Sequence, residues 1–203
     1  PGMVNYILLY KSLRNSDVDA ALYLLARMLA SGEDPLYVAR RMVRFASEDI
    51  GLADPQALAL TLHAKEAYDF LGSPEGELAL AEAVIYLAAA PKSNRIYTAY
   101  GAVQREVERS PHEPVPLQIR NAVTSLMKEI GYGKDYQYAH DSARETTDME
   151  TMPERLKGRK YYEPGKLGFE KEIRKRIEWW EALKARIKDG KGREGSPDKR
   201  GGT

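Results

Sequence analysis

Three helix starts in this chain have the same form, a capping residue followed by proline, and they constrain the fold more than any other feature. They are Asp34-Pro35, Asp54-Pro55 and Ser73-Pro74, spaced about twenty residues apart. The side-chain oxygen of Asp or Ser can accept a free backbone N–H of the first turn, and proline at the first helical position fixes φ without losing a useful donor. The spacing predicts consecutive helices of about four turns joined by short connections, which is an antiparallel all-α, multi-helix bundle.

Apolar residues recur at helical spacing around these pairs, and no strand pattern competes with them. Ser16 is predicted to cap an earlier helix that Gly32 ends. The predicted inward residues are Ala20, Ala21, Leu24, Leu25 and Met28 in that helix, and Val38, Met42 and Phe45 in the next. Further helices are predicted over 56–71, 74–90, 94–108, 121–130 and 168–188, and the alanine-rich segment 74–90 is expected at the centre of the bundle.

Composition changes along the chain and predicts three parts. Residues 1–110 are expected to form a helical core, and residues 111–188 an irregular proline- and tyrosine-rich segment with C-terminal helices packed on that core. Residues 189–203 have nothing to bury and are predicted to be disordered. Residues 1–150 hold 15 Lys and Arg against 21 Asp and Glu, whereas residues 151–203 hold 16 against 9. A basic end on an acidic body suits nucleic acid, an acidic partner or the body itself.

Several classes of protein are disfavoured by what the sequence lacks. The 203 residues include no cysteine, so neither a disulfide framework nor a thiolate zinc site is expected. No apolar run approaches the roughly 20 residues that span a bilayer, and Pro1-Gly2-Met3-Val4 does not resemble the start of a signal peptide. A soluble, cytoplasmic protein with no membrane partner is the expectation.

Motifs for catalysis are also weak. Gly131, Gly133 and Lys134 precede Asp135, which would repel a phosphate, so no Walker A loop for ATP is predicted. The histidines, His63, His112 and His140, lack the i, i+4 partner of a helical metal site. No metal site and no nucleophile motif are therefore expected.

Two charged groups permit alternative interpretations. Glu48 and Asp49 could serve as acid and base with Arg44 and His140 in a helical enzyme, but Arg44 stands four residues before Glu48 and can simply pair with it. We therefore expect Arg44, Glu48 and Asp49 to form a structural polar network.

Basic residues near a predicted helix start could bind phosphate, because free N–H groups and the helix dipole favour anions there. In Lys92-Ser93-Asn94-Arg95 the alternative is that Ser93 or Asn94 only caps the helix. Arg159 and Lys160 precede two tyrosines and could grip a single strand, or those tyrosines could anchor a loop. The candidate DNA contacts are Lys92, Asn94, Arg95, Arg120, Lys128, Arg159 and Lys160.

Longer segments resemble a known family. Four segments are similar, in order, to the C-terminal region of the replication-associated recombination protein A (RarA or MgsA) family of AAA+ ATPases. They are KSLRNSDVDAALYLLARM (11–28), RFASEDIGLADP (44–55), APKSN (90–94) and GRKYYEP (158–164). The similarity runs from about Tyr6 to Trp180. The departures from the family pattern, at Asn15, Val18, Leu24, Gln118 and Val123, leave no known active residue in doubt.

The resemblance implies a collar-like helical domain, related to the C-terminal domains of clamp loaders, that holds ATPase subunits together as a homotetramer. The family consists of DNA-dependent ATPases in replication, recombination and repair, with DNA and single-stranded-DNA-binding protein as partners. ATP and magnesium would bind an ATPase domain that precedes this region, so this chain is expected to hold no cofactor and to be no enzyme by itself. The alternative is an autonomous helical DNA-binding module.

Overall fold

The computed structural model describes residues 2–110, 113–121, 123–134 and 149–194, most of which are helical. The helices are α1 (Gly2–Arg14), α2 (Val18–Ala30), α3 (Pro35–Phe45), α4 (Gln56–Leu71), α5 (Glu77–Ala89), α6 (Arg95–Arg109), α7 (Ser125–Glu129) and α8 (Glu170–Glu194). A π-helical turn, Ala46–Ile50, and a 3-10 turn, Gly51–Ala53, join α3 to α4. No strand occurs in the described ranges, and the predicted all-α fold is confirmed.

The chain divides into two compact units. The first comprises Pro1–Val103 and Tyr161–Arg174, and the second comprises Gln104–Lys160 and Lys175–Thr203. The predicted division into residues 1–110, 111–188 and 189–203 stays a prediction. Helix α8 continues to Glu194, so residues 189–194 are helical, and the prediction that they are disordered is wrong. Residues 195–203 of the predicted tail lie outside the described residues, as do residues 135–148 of the tyrosine-rich segment.

Helix α5 is central to the first unit, as its alanine content predicts. It contacts α1, α2, α3 and α4. Its inner face is fully buried at Leu80, Ala83, Val84 and Leu87. Small side chains let neighbouring helices approach, and close packing at such a centre is what limits voids in a protein interior.

The predicted inner faces of α2 and α3 are confirmed with one exception. Val38, Met42 and Phe45 are completely buried, and so is Met28 in α2. Ala20 is only partly buried, because the buried face of α2 is centred on Ala21, Leu24, Leu25 and Met28. Helix α1, which contacts α2, α3 and α5, was not predicted.

Two of the three cap-proline pairs begin helices as predicted. Asp34 Oδ1 accepts a hydrogen bond from the Leu36 backbone N–H at 3.0 Å, with Pro35 at the first helical position. Asp54 Oδ1 accepts from the Gln56 backbone N–H at 3.1 Å. These carboxylates satisfy donors that the first helical turn leaves free.

The two remaining predicted caps, Ser73 and Ser16, are wrong. Asp17, and not Ser16, caps α2, because Asp17 Oδ1 accepts from the Ala20 backbone N–H at 3.0 Å. Ser73-Pro74 belongs to a turn before α5, which begins at Glu77, and the Ser73 hydroxyl bonds to the Glu77 carboxylate instead of to a backbone N–H. Within the helix predicted over 121–130, the described residues place α7 at Ser125–Glu129.

Membrane insertion finds no support in the described part of the chain, where every helix is too short or too polar to cross a bilayer.

Candidate functional site

A polar cleft of about 780 Å³ opens on the first unit where three sequence segments meet. They are the π-helical turn, the connection from α5 into α6, and residues 163–174. Arg14 of α1 also lines the cleft. The fold therefore brings together parts of RFASEDIGLADP, APKSN and GRKYYEP, three of the segments that carry the family resemblance.

Backbone hydrogen bonds fix the three segments to one another. The Ser93 N–H donates to Asp49 O of the π-helical turn at 2.7 Å, and the Phe169 N–H donates to Ala53 O, in the 3-10 turn that directly follows it, also at 2.7 Å. Because these bonds join backbone atoms, they do not depend on side-chain rotamers. The walls of the cleft are therefore held as one structure.

The π-helical turn shapes one wall. It buries Ala46 and Ile50, and between them it places Glu48 and Asp49 along the cleft. Gly51 follows with a φ of +52°, and a Cβ there would lie 3.1 Å from Ile96 Cδ1. Single π turns are frequent at functional sites. The π-helical turn could not be predicted from the sequence, since the spacing of its apolar residues is also typical of an ordinary end of α3.

Both carboxylates of this turn are bonded to arginines. Arg44 Nε donates to Glu48 Oε2 at 2.8 Å, the pairing that the i, i+4 spacing predicts. Arg14 donates from Nε to Asp49 Oδ1 at 2.6 Å and from Nη2 to Asp49 Oδ2 at 3.1 Å. Hydrogen bonding to the carboxylates raises the pKa of both guanidinium groups. The charges of Glu48 and Asp49 are thus matched locally.

The enzyme hypothesis gains nothing from these contacts. Glu48 and Asp49 have ordinary salt-bridge partners, and His140, which the hypothesis required, lies outside the described residues. Within the described ranges, no group of three or more His, Asp or Glu side chains is placed to hold a metal ion.

The Lys92 ammonium group forms hydrogen bonds to two backbone carbonyls and one hydroxyl. Its Nζ donates to Ala88 O at 2.8 Å, to Ala90 O at 2.5 Å and to Ser16 Oγ at 3.2 Å. These bonds use all three donors of the ammonium group. Burial lowers the pKa of Lys92, whereas the nearby Asp49 carboxylate acts in the opposite direction. Lys92 therefore secures the C-terminal end of α5, where carbonyls lack helical partners.

The start of α6 combines a cap with exposed polar groups. Ser93 Oγ accepts from the Arg95 backbone N–H at 3.3 Å, as the capping interpretation requires. Asn94 and Arg95 are exposed at the cleft. Arg95 and Lys166, on facing segments, form no ion pair with any described residue. They are the cationic groups of the cleft that remain open to a ligand.

Glu170 lies completely buried at the cleft, next to Gly165. Its Oε1 accepts from the Tyr162 hydroxyl at 2.9 Å, and its Oε2 has no hydrogen-bond partner among the described residues. A Cβ at Gly165 would collide with Oε2, so a larger residue there would displace the Glu170 carboxylate. Burial, and then the bond to Glu170, raises the pKa of Tyr162 well above its usual value. This pair could not be predicted from the sequence, because a Tyr and a Glu eight residues apart form no recognisable motif.

The second unit contains an ion cluster around a buried carboxylate. Arg155 Nη2 donates to Glu106 Oε1 at 2.8 Å, and Arg159 Nη1 donates to Glu106 Oε2 at 2.6 Å. Arg155 also donates to Glu113 at 3.2 Å. The exposed fraction of Glu106 is 7%. Arg159, a candidate DNA contact, is therefore already bonded to a buried acid.

The remaining candidates in the second unit differ in their partners. Lys160 Nζ lies 2.7 Å from Glu181 Oε1. Arg120 donates to Val115 O at 2.7 Å, and its guanidinium lies 5.2 Å from the centre of the Tyr132 ring. Lys128 is exposed and forms no ion pair with a described residue. Lys92, Asn94 and Arg95 share the cleft of the first unit, and the other four candidates belong to the second unit.

The fold and the cleft define a helical domain whose polar residues chiefly join its own segments. Residues 15–181 match the family described as "MgsA AAA+ ATPase C terminal". The chain belongs to this family, and the resemblance stated from the sequence is confirmed.

Relatives in bacteria and in a eukaryote agree with this assignment. Replication-associated recombination protein A of Coxiella burnetii is 53% identical over 176 residues, which cover 86% of this chain and 40% of the relative. The protein of the same name from Escherichia coli K12 is 46% identical over 84% of this chain and 38% of its own length. ATPase WRNIP1 of Dictyostelium discoideum is 46% identical over 76% of this chain and 18% of its own length. The chain thus spans about two fifths of the length of these bacterial relatives.

Proposed function

We propose that this chain is the self-assembly domain of a AAA+ ATPase that maintains replication forks and acts in DNA recombination and repair. Family membership supports the ATPase and replication parts of the proposal, because the relatives carry those names. In this proposal ATP and magnesium bind elsewhere in the full-length protein, this chain supplies no catalysis, and four copies assemble in the cytoplasm. DNA and single-stranded-DNA-binding protein are the expected partners of the whole protein.

One surface of the first unit carries the self-assembly proposal. We name this surface the α4–α5 tip. It consists of Phe70 and Leu71 at the end of α4, Leu78 in the first turn of α5, and the turn 72–76 between them. The exposed fractions of Phe70, Leu71 and Leu78 are 89%, 54% and 77%. Single exposed apolar residues are normal, but large ones grouped together mark protein contacts.

The α4–α5 tip is compact. The Gly76 N–H donates to Gly72 O at 2.6 Å, and the Gly72 N–H donates to Tyr68 O at 2.8 Å. A Cβ at Gly76 would lie 2.7 Å from Gly72 O, so no larger residue fits the turn. A tip that is already ordered loses little entropy when a partner covers it.

Replacing both Phe70 and Leu78 with serine is expected to weaken self-association of the chain by about 30-fold or more, because exposed apolar anchors contribute most of the energy of an interface. Size-exclusion chromatography with light scattering over a dilution series measures this. The matched control is Val123→Ser, since Val123 is 81% exposed but lies outside the tip. Equal dissociation of the double variant and the control would remove the tip from the proposal.

A second function, contact with DNA, is favoured by the open cations of the cleft. Arg95 and Lys166 form no ion pair with a described residue, and Tyr97 beside them is 59% exposed. Cations that follow a phosphate backbone, together with an aromatic ring on which a base can stack, suit single-stranded nucleic acid. Self-assembly and DNA contact are compatible, because they use different surfaces of the first unit.

The variant Arg95→Gln/Lys166→Gln is expected to bind a single-stranded oligonucleotide more weakly at low salt. Loss of two phosphate contacts should reduce the slope of log K against log salt by about 1.4, at roughly 0.7 per contact on single strands. Fluorescence anisotropy over a salt series gives both quantities. Lys11→Gln is the control, since Lys11 is exposed on α1 and does not line the cleft. An unchanged slope in the cleft variant would exclude the cleft as the DNA contact.

A further inference from the structure

A shallow groove of about 310 Å³ lies between α4 and α5, on the same helix pair as the α4–α5 tip. Four alanines, Ala59, Ala64, Ala67 and Ala79, supply much of its lining, and His63 and Glu82 lie with them. Small side chains leave room for a large one from outside. Along α4 the groove residues continue at helical spacing into Phe70, so groove and tip form one surface, which we name the α4–α5 face.

The rim of the α4–α5 face is acidic. Residues 65–82 hold five acids against the single base Lys65, a net charge of −4. Lys65 Nζ lies 3.7 Å from Asp69 Oδ2, which leaves the other acids without a base within this segment. The acids are Glu66, Asp69, Glu75, Glu77 and Glu82. Complementary charge therefore requires a basic occupant that also carries large apolar side chains.

Helix α8 has this chemistry. Residues 171–189 hold seven Lys and Arg against four Asp and Glu, a net charge of +3. Trp179 and Trp180 are 58% and 40% exposed. Trp180, Lys184 and Lys188 recur at four-residue spacing, which places an indole and two exposed ammonium groups along one side of the helix. Tryptophan is among the residues most enriched at the energetic centres of interfaces.

We propose that α8 of one copy lies on the α4–α5 face of a second copy, with Trp180 in the alanine-lined groove and Lys184 and Lys188 against Glu66 and Glu82. The proposal rests on the proposed self-assembly and names its contact. The contact is heterologous, because it joins two different surfaces. Copies joined by the same contact form a ring when the rotation between neighbours closes.

Charge reversal tests the pairing in the full chain. Two double variants reverse the charge on one side of the contact each, Glu66→Lys/Glu82→Lys on the α4–α5 face and Lys184→Glu/Lys188→Glu on α8. Each is expected to raise the dissociation constant of self-association about 100-fold, because like charges then meet across the contact. Combining all four changes in one chain should restore association to within about tenfold of the unchanged chain, since opposite charges meet again. Sedimentation velocity over a concentration series measures all three, with far-UV circular dichroism to verify helix content.

Cross-linking provides an independent readout, because the chain contains no cysteine. Glu82→Cys in one chain and Lys184→Cys in another are expected to form a mixed disulfide when the two are oxidised together at low concentration. Lys11→Cys replaces Lys184→Cys in the control and should give only background coupling.

The outcomes separate the contact from self-assembly as such. Two results would overturn the contact between α8 and the α4–α5 face and leave self-assembly standing. In one, the unchanged chain associates while the fourfold variant stays as weakly associated as the double variants; in the other, the mixed disulfide is no more abundant than in the control. A chain that is monomeric before any substitution would overturn both. Recovery in the fourfold variant together with selective cross-linking supports the contact.

Discussion

Replacing Phe45 with alanine is expected to lower the free energy of unfolding of the chain by about 3–5 kcal/mol, the range for deleting a buried phenyl ring. Phe45 is completely buried at the end of α3. Its ring centre lies 5.4 Å from that of Tyr10 in an edge-to-face contact, so the change also removes a favourable aromatic pair. Residue 45 directly precedes the π-helical turn, and the surrounding helices cannot close on the cavity without moving that turn.

Chemical denaturation measures this loss of free energy of unfolding. All variants are compared at one protein concentration, because association alters apparent stability. The control is Leu126→Ala on α7, where the side chain is 62% exposed and a change within about 0.5 kcal/mol is expected. A loss below about 1 kcal/mol for Phe45→Ala would contradict the described core, since that size of effect is typical of a site outside it.

Gly168→Ala is expected to destabilise the chain by about 3 kcal/mol or more, since it combines backbone strain with a collision. Gly168 has a φ of +54°, which L side chains rarely adopt. An added Cβ would collide with Ala53 O and lie 2.7 Å from Pro91 Cγ. Ala53 O is also the acceptor of the Phe169 N–H bond that fixes residues 163–174 to the cleft, so relief of the collision breaks that bond.

Gly32→Ala separates the two causes. Gly32 also has a positive φ, +81°, but a Cβ there meets nothing within 4 Å, so only the conformational cost of about 1–2 kcal/mol is expected. Thermal unfolding of both variants at the same concentration gives the comparison. Equal losses at Gly32 and Gly168 would show that residues 163–174 do not lie against Ala53 as described.

The elements that could be predicted from the sequence are those governed by local rules. Asp34-Pro35 begins α3 because the capping carboxylate and the proline act within one turn, and the Arg44–Glu48 pair forms because i, i+4 residues share a helix face. The buried face of α3 and the central position of α5 follow from apolar periodicity and alanine content. The prediction of Ser16 as a cap is wrong, since Asp17 beside it has the same capping ability and periodicity does not distinguish neighbours.

The cleft could be predicted only in part, since long-range contacts build it. The charged groups of two of its segments, at 44–49 and 92–95, are recognisable in the sequence, yet nothing in the sequence shows that Asp49 pairs with Arg14, 35 residues away. Lys92 appeared suited to phosphate, but its donors are used by carbonyls at the end of α5, a role visible only once the backbone is placed. Glu170 could not be identified from the sequence, because its burial and its contacts with Tyr162 and Gly165 are visible only once the backbone is placed.

Sedimentation equilibrium of the unmodified 203-residue chain at tens of micromolar tests self-assembly most directly. A mass equal to several copies of the 22.8 kDa chain, four in a closed ring, is the predicted result. A single species of 22.8 kDa across that concentration range would contradict it.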